Sequence, residues 1–295
     1  MLTALILCRF VHFAATMLIF GALSYRRVLA IPPAVVEGDA WAGHSQRALF
    51  VAGVLSLVSA AGWLAAESAQ MSGEPSGAYD PQTLWLVLSD TDFGAIWTWR
   101  LLLAGGVLFS LCGRREWMLR LQLPLSFLLL ATLGFVGHAA METGFAGFVH
   151  RTSHAIHLLS GGAWVGGLAY LVFILTEAKA AVDAEAKVQA LRRFSFFGYA
   201  AVGLVLISGG ANSLFLIGNA DSLGSTAFGR TLSVKLVLVG GMLILAGVHR
   251  LVLLPRSMKA SSPAGRFARS LALEMAIAVL VVAVASVLGT LPPAG

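Results

Sequence analysis

Residues 2–23 read LTALILCRFVHFAATMLIFGAL, an apolar run that contains Arg9 and His12. A helix of roughly 20 apolar residues spans a hydrocarbon core of about 30 Å, so this run is long enough to cross a bilayer. No basic segment precedes it, and it is long for the apolar part of a secretory signal, so we interpret it as a retained helix. Ionisable residues inside such a helix usually face the protein interior.

Seven further apolar runs of similar length follow, and soluble folds cannot bury so much apolar surface. The chain is 58% hydrophobic and 12% charged, whereas soluble domains carry about a quarter charged residues. Unbroken runs favour helices, because lipid offers the backbone no hydrogen bonds. The sequence predicts an all-α bundle, a single integral membrane domain over residues 1–295 without a soluble domain, with about eight transmembrane helices near 2–24, 48–66, 95–113, 120–141, 154–175, 195–217, 231–254 and 269–291.

The basic residues are distributed unevenly among the loops. Fifteen Lys and Arg lie in the odd-numbered loops, and only Arg151 and Arg230 lie in the even-numbered ones. The positive-inside rule therefore predicts that both termini are periplasmic. The same distribution accounts for the net charge of +6, so we expect the lipid bilayer, and no nucleic acid, as a partner. The second loop is predicted to be periplasmic and to dock a donor protein through its acidic residues, Glu67, Glu74, Asp80, Asp90 and Asp92.

Most histidines lie toward the predicted outer face. His150, His154 and His157 follow i, i+4, i+7 spacing, which places them on one stripe of a helix. Below them, residues 160–167 are rich in glycine, and small residues allow a neighbouring helix to approach closely. His150 is also open to a simpler interpretation as a loop residue. His44 and His249 fall on the opposite side and are predicted to be interfacial.

These histidines are accompanied by other potential metal ligands. Cys8 precedes His12 by four residues and Met141 follows His138 by three, which predicts that each shares a helical face with its histidine. Glu142 adds an anionic oxygen at the same level. Imidazole binds copper, zinc, nickel and iron, and sulfur shifts the preference toward Cu(I). The pattern predicts a shared metal site, although membrane histidines can also serve only in packing. Three basic residues lie within apolar runs and are predicted either to face the interior or to extend to the interface: Arg9, Arg100 and Lys235.

Several motifs, in this order and spacing, resemble those of the copper resistance protein D (CopD) family. They are Arg9-Phe10-Val11-His12, Thr91-Asp92-Phe93-Gly94 with Trp97 and Arg100, Gly137-His138, His154-Ala155-Ile156-His157 with Trp164, Ser208-Gly209 with Asn212, Gly229-Arg230 with Lys235, and Pro255-Arg256. The resemblance covers nearly the whole chain. His249 stands where the family pattern leads us to expect Asn.

The resemblance implies a non-enzymatic, eight-helix copper protein of the bacterial inner membrane that moves copper inward. It implies that the metal ligands are His12, His138, His154 and His157. The soluble copper-binding domain fused to some relatives is absent from this sequence, so a separate periplasmic CopC-like protein is the expected partner.

Two other functions remain open at the sequence level. A membrane cytochrome would ligate haem b through two histidines of different helices. Arg9, Arg100 and Lys235 favour this alternative, since they could neutralise haem propionates but would repel a copper cation unless carboxylates paired with them. The third possibility is an assembly protein whose histidines only pack.

Overall fold

The computed structural model describes residues 1–28, 39–177, 184–217, 221–253 and 264–293. Within these ranges the chain is helical and has no strand, and eight helices are long and apolar enough to cross a bilayer. The predicted all-α membrane bundle is therefore confirmed. The helices are α1 (Leu2–Val28), α2 (Asp39–Ser72), α3 (Pro81–Asp90), α4 (Asp92–Cys112), α5 (Glu116–Ala131), α6 (Gly144–Glu177), α7 (Ala184–Leu216), α8 (Ser222–Ser225), α9 (Ala227–Val248) and α10 (Ala264–Leu288). All of them except α3 and α8 are candidate spans.

Helix α1 lies at the centre of the bundle. It contacts α2, α5, α6 and α10, while α7 packs on α6 and α9 packs on α10. The largest core cluster joins α1 to α6 through Ile19, Leu23, Leu168 and Leu171, which are almost fully buried. Helix α1 therefore holds the other helices that carry histidines in place.

Glycines bring α1 and α6 into backbone contact. A Cβ atom on Gly21 would lie 2.5 Å from the backbone carbon of Gly166, and one on Gly166 would lie 2.9 Å from the backbone carbon of Met17. Neither position has room for a side chain. The predicted close approach of a neighbouring helix to the glycine-rich part of α6 is therefore confirmed.

Threonine caps begin two of the spanning helices. The hydroxyl of Thr91 accepts a hydrogen bond from the N–H of Gly94 at the start of α4, and Thr226 does the same with Gly229 at the start of α9. Each cap satisfies an N–H group that has no partner within its helix. Both capped helices begin close to the bundle end where α6 starts.

The fourth span ends earlier than the sequence predicts. Helix α5 stops at Ala131 instead of continuing to residue 141, and the 3₁₀ turns Thr132–Phe135 and Gly137–Ala140 follow it. Gly137 has φ of +80°, which L-residues with side chains rarely adopt, so the chain turns there. His138 therefore lies in a turn, and the expectation that it shares a helical face with Met141 is wrong.

Candidate functional site

His154 and His157 lie one turn apart on α6. The ring of His157 reaches α7, where its Nδ1 lies 3.2 Å from the carbonyl oxygen of Val205 and 3.3 Å from Oγ of Ser208. A carbonyl oxygen only accepts hydrogen bonds, so Nδ1 carries the proton and Nε2 keeps its lone pair. An imidazole oriented in this way by its second nitrogen is the form that binds a metal ion.

Helix α7 forms the wall opposite these histidines. A Cβ atom on Gly209 would lie 3.0 Å from Cε1 of His157, so the glycine makes room for the ring. One turn further, Oδ1 of Asn212 is buried and has no hydrogen-bond partner among the described residues. This oxygen is available to accept a hydrogen bond from a bound ligand or from water.

Positive side chains lie near the same two histidines. Lys235 of α9 is within electrostatic range of both His154 and His157, and Arg9 of α1 is within range of His154. Positive charges at this distance disfavour a second cation unless anionic groups compensate. Any metal ion bound here would therefore need an anionic partner.

His138 approaches this group from the turn after α5. Its Nε2 lies 2.8 Å from the carbonyl oxygen of Leu291 and donates to it, which leaves Nδ1 with a lone pair. Partial burial lowers the pKa of His138, the hydrogen bond to Leu291 opposes this shift, and the nearby Arg9 and His150 add to the lowering. The ring is therefore neutral at pH 7.

His150 belongs to the same neighbourhood. It lies within α6, so its interpretation as a loop residue is wrong. Its buried ring stacks on Phe215 with 4.5 Å between the ring centroids, and its Nδ1 lies 3.4 Å from Oε2 of Glu142. Neither Nδ1 of His150 nor Oε2 of Glu142 has a hydrogen-bond partner among the described residues. The sequence signal that assigns His150 to the same helical face as His154 is the four-residue spacing between them.

His12 lies in a different environment. It is fully buried, and its Nδ1 lies 3.0 Å from the carbonyl oxygen of Ser56 and 3.1 Å from Oγ of Ser59. Its Nε2 accepts a hydrogen bond from the guanidinium group of Arg100. Both ring nitrogens are therefore engaged, and a metal ion could reach Nε2 only if Arg100 moved away.

Arg100 faces the interior and does not extend to the interface. It is fully buried, and its NH1 group donates to the carbonyl oxygen of Leu129 at 2.7 Å and to the hydroxyl of Thr132 at 2.8 Å. Its guanidinium carbon lies 5.1 Å from the ring centroid of Trp97. These contacts satisfy most of its donors and fix it beside His12.

Arg9 lines a cavity at the end of the bundle where α6 begins. Its Nε donates to the carbonyl oxygen of Ser286 at 3.2 Å, and its guanidinium group lies 4.5 Å from the ring centroid of Trp63. The cavity has a volume of about 710 Å³. Its other charged lining residues are Glu67, Asp92 and Arg151, and it also reaches Gly137. A mixed set of charges therefore lines a cavity that reaches the residue next to His138.

The acidic residues of the second loop have different roles. Asp80 caps α3 by accepting a hydrogen bond from the N–H of Thr83 at 2.8 Å and another from its hydroxyl, and these hydrogen bonds lower the pKa of Asp80. Glu74 accepts a hydrogen bond within its own turn. Only Glu67 and Asp92 line the cavity. These two are the carboxylates positioned to meet a ligand.

The two predicted sulfur ligands, Cys8 and Met141, face α2 and the surface respectively. A Cβ atom on Gly62 of α2 would lie 2.8 Å from Sγ of Cys8, so this thiol faces α2. Met141 is 68% exposed on the surface. Of the three additional candidates, only Glu142 contacts a histidine of the group.

The structure brings four histidines into one neighbourhood, defined here as the histidine group: His138, His150, His154 and His157. His138 is within electrostatic range of His150, and His154 is within range of both His150 and His157. This range is longer than the ~2 Å of a metal–nitrogen bond. In the described part of the chain, no three His, Cys, Asp or Glu residues are close enough together to hold a metal ion. His12 lies apart from the group, against Arg100.

Comparison with known proteins relates this arrangement to one family. The family models for copper resistance protein D-like, N-terminal domain and for copper resistance protein D match residues 1–148 and 188–288. Inner membrane protein YebZ of Escherichia coli (strain K12) is 35% identical over 97% of this chain and 97% of its own length. Copper resistance protein D of Pseudomonas syringae pv. tomato is 32% identical over 70% of this chain and 71% of its own length.

Copper transport protein CutJ of Bacillus subtilis (strain 168) is 37% identical over 57% of this chain and 30% of its own length. No solved structure matches the chain. The family models match both the N-terminal and the C-terminal parts of the helical bundle, and a relative aligns over almost all of it. This chain therefore belongs to the copper resistance protein D family.

Proposed function

We propose that this protein is a multi-pass copper carrier of the bacterial inner membrane that accepts copper at its periplasmic face and moves it inward. It carries out no chemical conversion of its cargo. The observation on which the proposal depends is the pair of histidines on α6. Nε2 of His157 keeps a lone pair while α7 orients the ring, and His154 lies one turn away.

Copper would enter through the cavity beside Arg9. Glu67 and Asp92 line this cavity and would attract a cation, and Gly137 connects its wall to His138. His138 offers Nδ1, because Nε2 donates to Leu291. Ligand exchange would then transfer the ion from His138 to the pair on α6. This order of steps follows the positions of the residues from the cavity inward.

His12 remains a proposed ligand at an inner position. Its Nε2 accepts a hydrogen bond from Arg100, so ligation there would require the guanidinium group to leave. Removing a cation from the immediate surroundings of an incoming metal ion also reduces the repulsion between them. We therefore expect His12 to bind copper only in a conformation in which Arg100 has moved.

We further propose that both termini are periplasmic and that a separate CopC-like periplasmic protein delivers the copper. The proposed orientation depends on the excess of Lys and Arg in the odd-numbered loops. It places the cavity and the histidine group on the side where such a donor would dock.

A haem b protein is the second candidate function. The observation that favours it is the position of Lys235 and Arg9, which lie within electrostatic range of His154. Such cations would neutralise the propionates of a haem whose iron is held by two of the histidines. When bound, haem would supply one-electron transfer.

Metal analysis of the purified full-length protein tests these functions against each other. We expect copper without a Soret band in the wild type, and at least about a tenfold loss of copper affinity when His154 and His157 are both replaced by Ala. His44→Ala is the matched control, because His44 is exposed and lies near the opposite end of the bundle. A Soret band with stoichiometric iron would refute the copper function in favour of the haem b function. Copper binding that survives the double substitution would refute the proposed site.

A further inference from the structure

His249 and Glu274 form a buried contact at the opposite end of the bundle. Glu274 lies in the N-terminal half of α10, whereas His138 contacts Leu291 just beyond the C-terminal end of that helix. His249 begins the π-helical segment His249–Leu253 that follows α9. His249, predicted to lie at the membrane interface, is buried inside the protein: only 8% of it is exposed, and only 2% of Glu274. Single π-helical turns within helices occur frequently at functional sites.

Both nitrogens of the His249 ring contact polar groups on α10. Its Nδ1 lies 2.8 Å from Oε2 of Glu274, and its Nε2 lies 2.6 Å from Oγ of Ser270. Ser270 and Glu274 are four residues apart and therefore share one face of the helix. The three side chains form a continuous hydrogen-bonded chain across the contact between the π-helical segment and α10.

The contact between His249 and Glu274 provides a place for a shared proton. A buried carboxylate is unfavourable unless an opposite charge pairs with it or it is neutralised. A proton on the ring would make His249 a cation that donates to both Glu274 and Ser270, and a proton on the carboxyl group would make the pair neutral. In either case the two groups share one proton across their 2.8 Å contact.

Two described arginines at this end, Arg250 and Arg27, have partners of their own. Arg250 donates to the carbonyl oxygen of Ser195 at 2.6 Å and lies over the ring of Tyr199, both on α7. On α1, which packs against α10, Arg27 donates to the carbonyl oxygen of Leu119. The remaining described titratable or charged groups facing this region from α1 and α6 are Tyr25, Arg26 and Tyr170.

The tyrosines and Arg26 do not replace the shared proton. Tyr25 and Tyr170 lie in the same core cluster as Leu271, and phenols are uncharged at neutral pH. Arg26 lies within electrostatic range of Tyr170. Among the described residues, the group that pairs with the Glu274 carboxylate is His249, so a proton shared by the two supplies the compensating charge.

The order of carboxylate, imidazole and hydroxyl is also that of a hydrolytic triad, but the geometry disfavours hydrolysis. Ser270 and Glu274 both lie within α10, where the backbone N–H groups donate within the helix and none is available to stabilise an oxyanion. Metal binding is disfavoured as well, because both nitrogens of His249 already have partners.

We propose that His249, Glu274 and Ser270 form a proton-binding site at the arginine-rich end of the bundle, occupied by one proton per chain at neutral pH. Its ligand is the proton itself, in the manner of the His and carboxylate relays of membrane transporters. The site is separate from the histidine group and does not depend on whether that group binds copper.

Two spectroscopic measurements on the full-length protein in nanodiscs test the proposal. Histidine labelled with ¹⁵N in the ring distinguishes imidazolium from neutral imidazole, and His249→Asn assigns the signal. Infrared spectra detect a protonated carboxyl group, and Glu274→Gln assigns its band. We expect the proton at pH 7 on one of the two groups: either an imidazolium at His249 that becomes neutral in Glu274→Gln, or a carboxylic acid band that disappears in that variant.

Glu116→Gln and His44→Asn are the matched controls, since the side chain of Glu116 is 80% exposed and His44 is exposed. Both should leave the His249 signal and the carboxyl band unchanged. If Glu274→Gln does not fold, Glu274→Asp serves for assignment, because it shifts the band and keeps the acid. A neutral His249 together with an ionised Glu274 at pH 7 would overturn the proposal.

Discussion

Replacing Gly166 by Ala should loosen the contact between α1 and α6. The new Cβ atom would overlap the carbonyl oxygen of Met17 and would lie 2.9 Å from its backbone carbon and 3.0 Å from Cα of Gly21. Carbon atoms in ordinary contact are about 3.5–4.0 Å apart, so the two helices would have to separate by at least about 1 Å. Because the atoms that clash belong to the backbone, no side-chain rotation can relieve the overlap.

The expected cost follows from two opposing effects. Overpacking a tight contact costs about 1–3 kcal/mol, and replacing Gly by Ala within a helix contributes about 1 kcal/mol of stability. A backbone clash lies at the upper end of the first range, so the free energy of unfolding of Gly166→Ala should fall by about 2 kcal/mol. Because α6 carries His154 and His157, its displacement should weaken metal binding as well.

Gly161→Ala provides the matched control on the same helix. Its Cβ atom would meet only the flexible Cε of Met17, at 3.9 Å. This variant should be as stable as the wild type or more stable by up to about 1 kcal/mol. Reversible unfolding in mixed micelles, followed by circular dichroism, compares the two variants. Equal stability of Gly161→Ala and Gly166→Ala would refute the argument that backbone contact defines this interface.

Three further predictions concern acidity, cation capture and orientation. Burial lowers the pKa of His138 in the folded protein below its ordinary value. As pH falls, His138 therefore binds a proton in the unfolded chain before it does so in the folded one. The free energy of unfolding should decrease as pH falls from about 6.5 toward the lowered pKa. His138→Gln should reduce that decrease, and an unchanged pH profile would contradict it. Replacing Glu67 and Asp92 by amides should slow copper capture at low salt, with little effect at high salt, whereas Glu74→Gln should not. A reporter that is active only in the cytoplasm should stay inactive when fused to the C-terminus, and its activity there would reverse the proposed orientation.

The contact between His12 and Arg100 determines whether a metal ion can bind at His12. A fully buried arginine beside a proposed ligand either excludes metal ions from that position or moves when one arrives. Copper binding measured for His12→Ala and for the His154 and His157 variants separates these outcomes. Loss of affinity in His12→Ala equal to that of the α6 variants would place His12 in the same site.

The sequence by itself determined the eight spans and the histidine stripe on α6, because both depend on local properties. Hydropathy over about 20 residues decides whether a helix can cross the bilayer, and helical periodicity decides which residues share a face. The glycine-rich part of α6 likewise predicted a close neighbouring helix. The sequence did not reveal that this neighbour is α1, because helix pairing depends on the shapes of both surfaces.

Only the tertiary structure decided which polar residues meet. The contact between His12 and Arg100 joins residues far apart in the chain, as does that between His249 and Glu274, and neither pair has a spacing that predicts it. His138 lies off its predicted helix, because α5 ends at Ala131 and the chain turns at Gly137, where φ is positive. Hydropathy decides that a helix crosses the membrane, but the rotation of each helix against its neighbours decides which charges lie side by side, and that rotation is determined by packing.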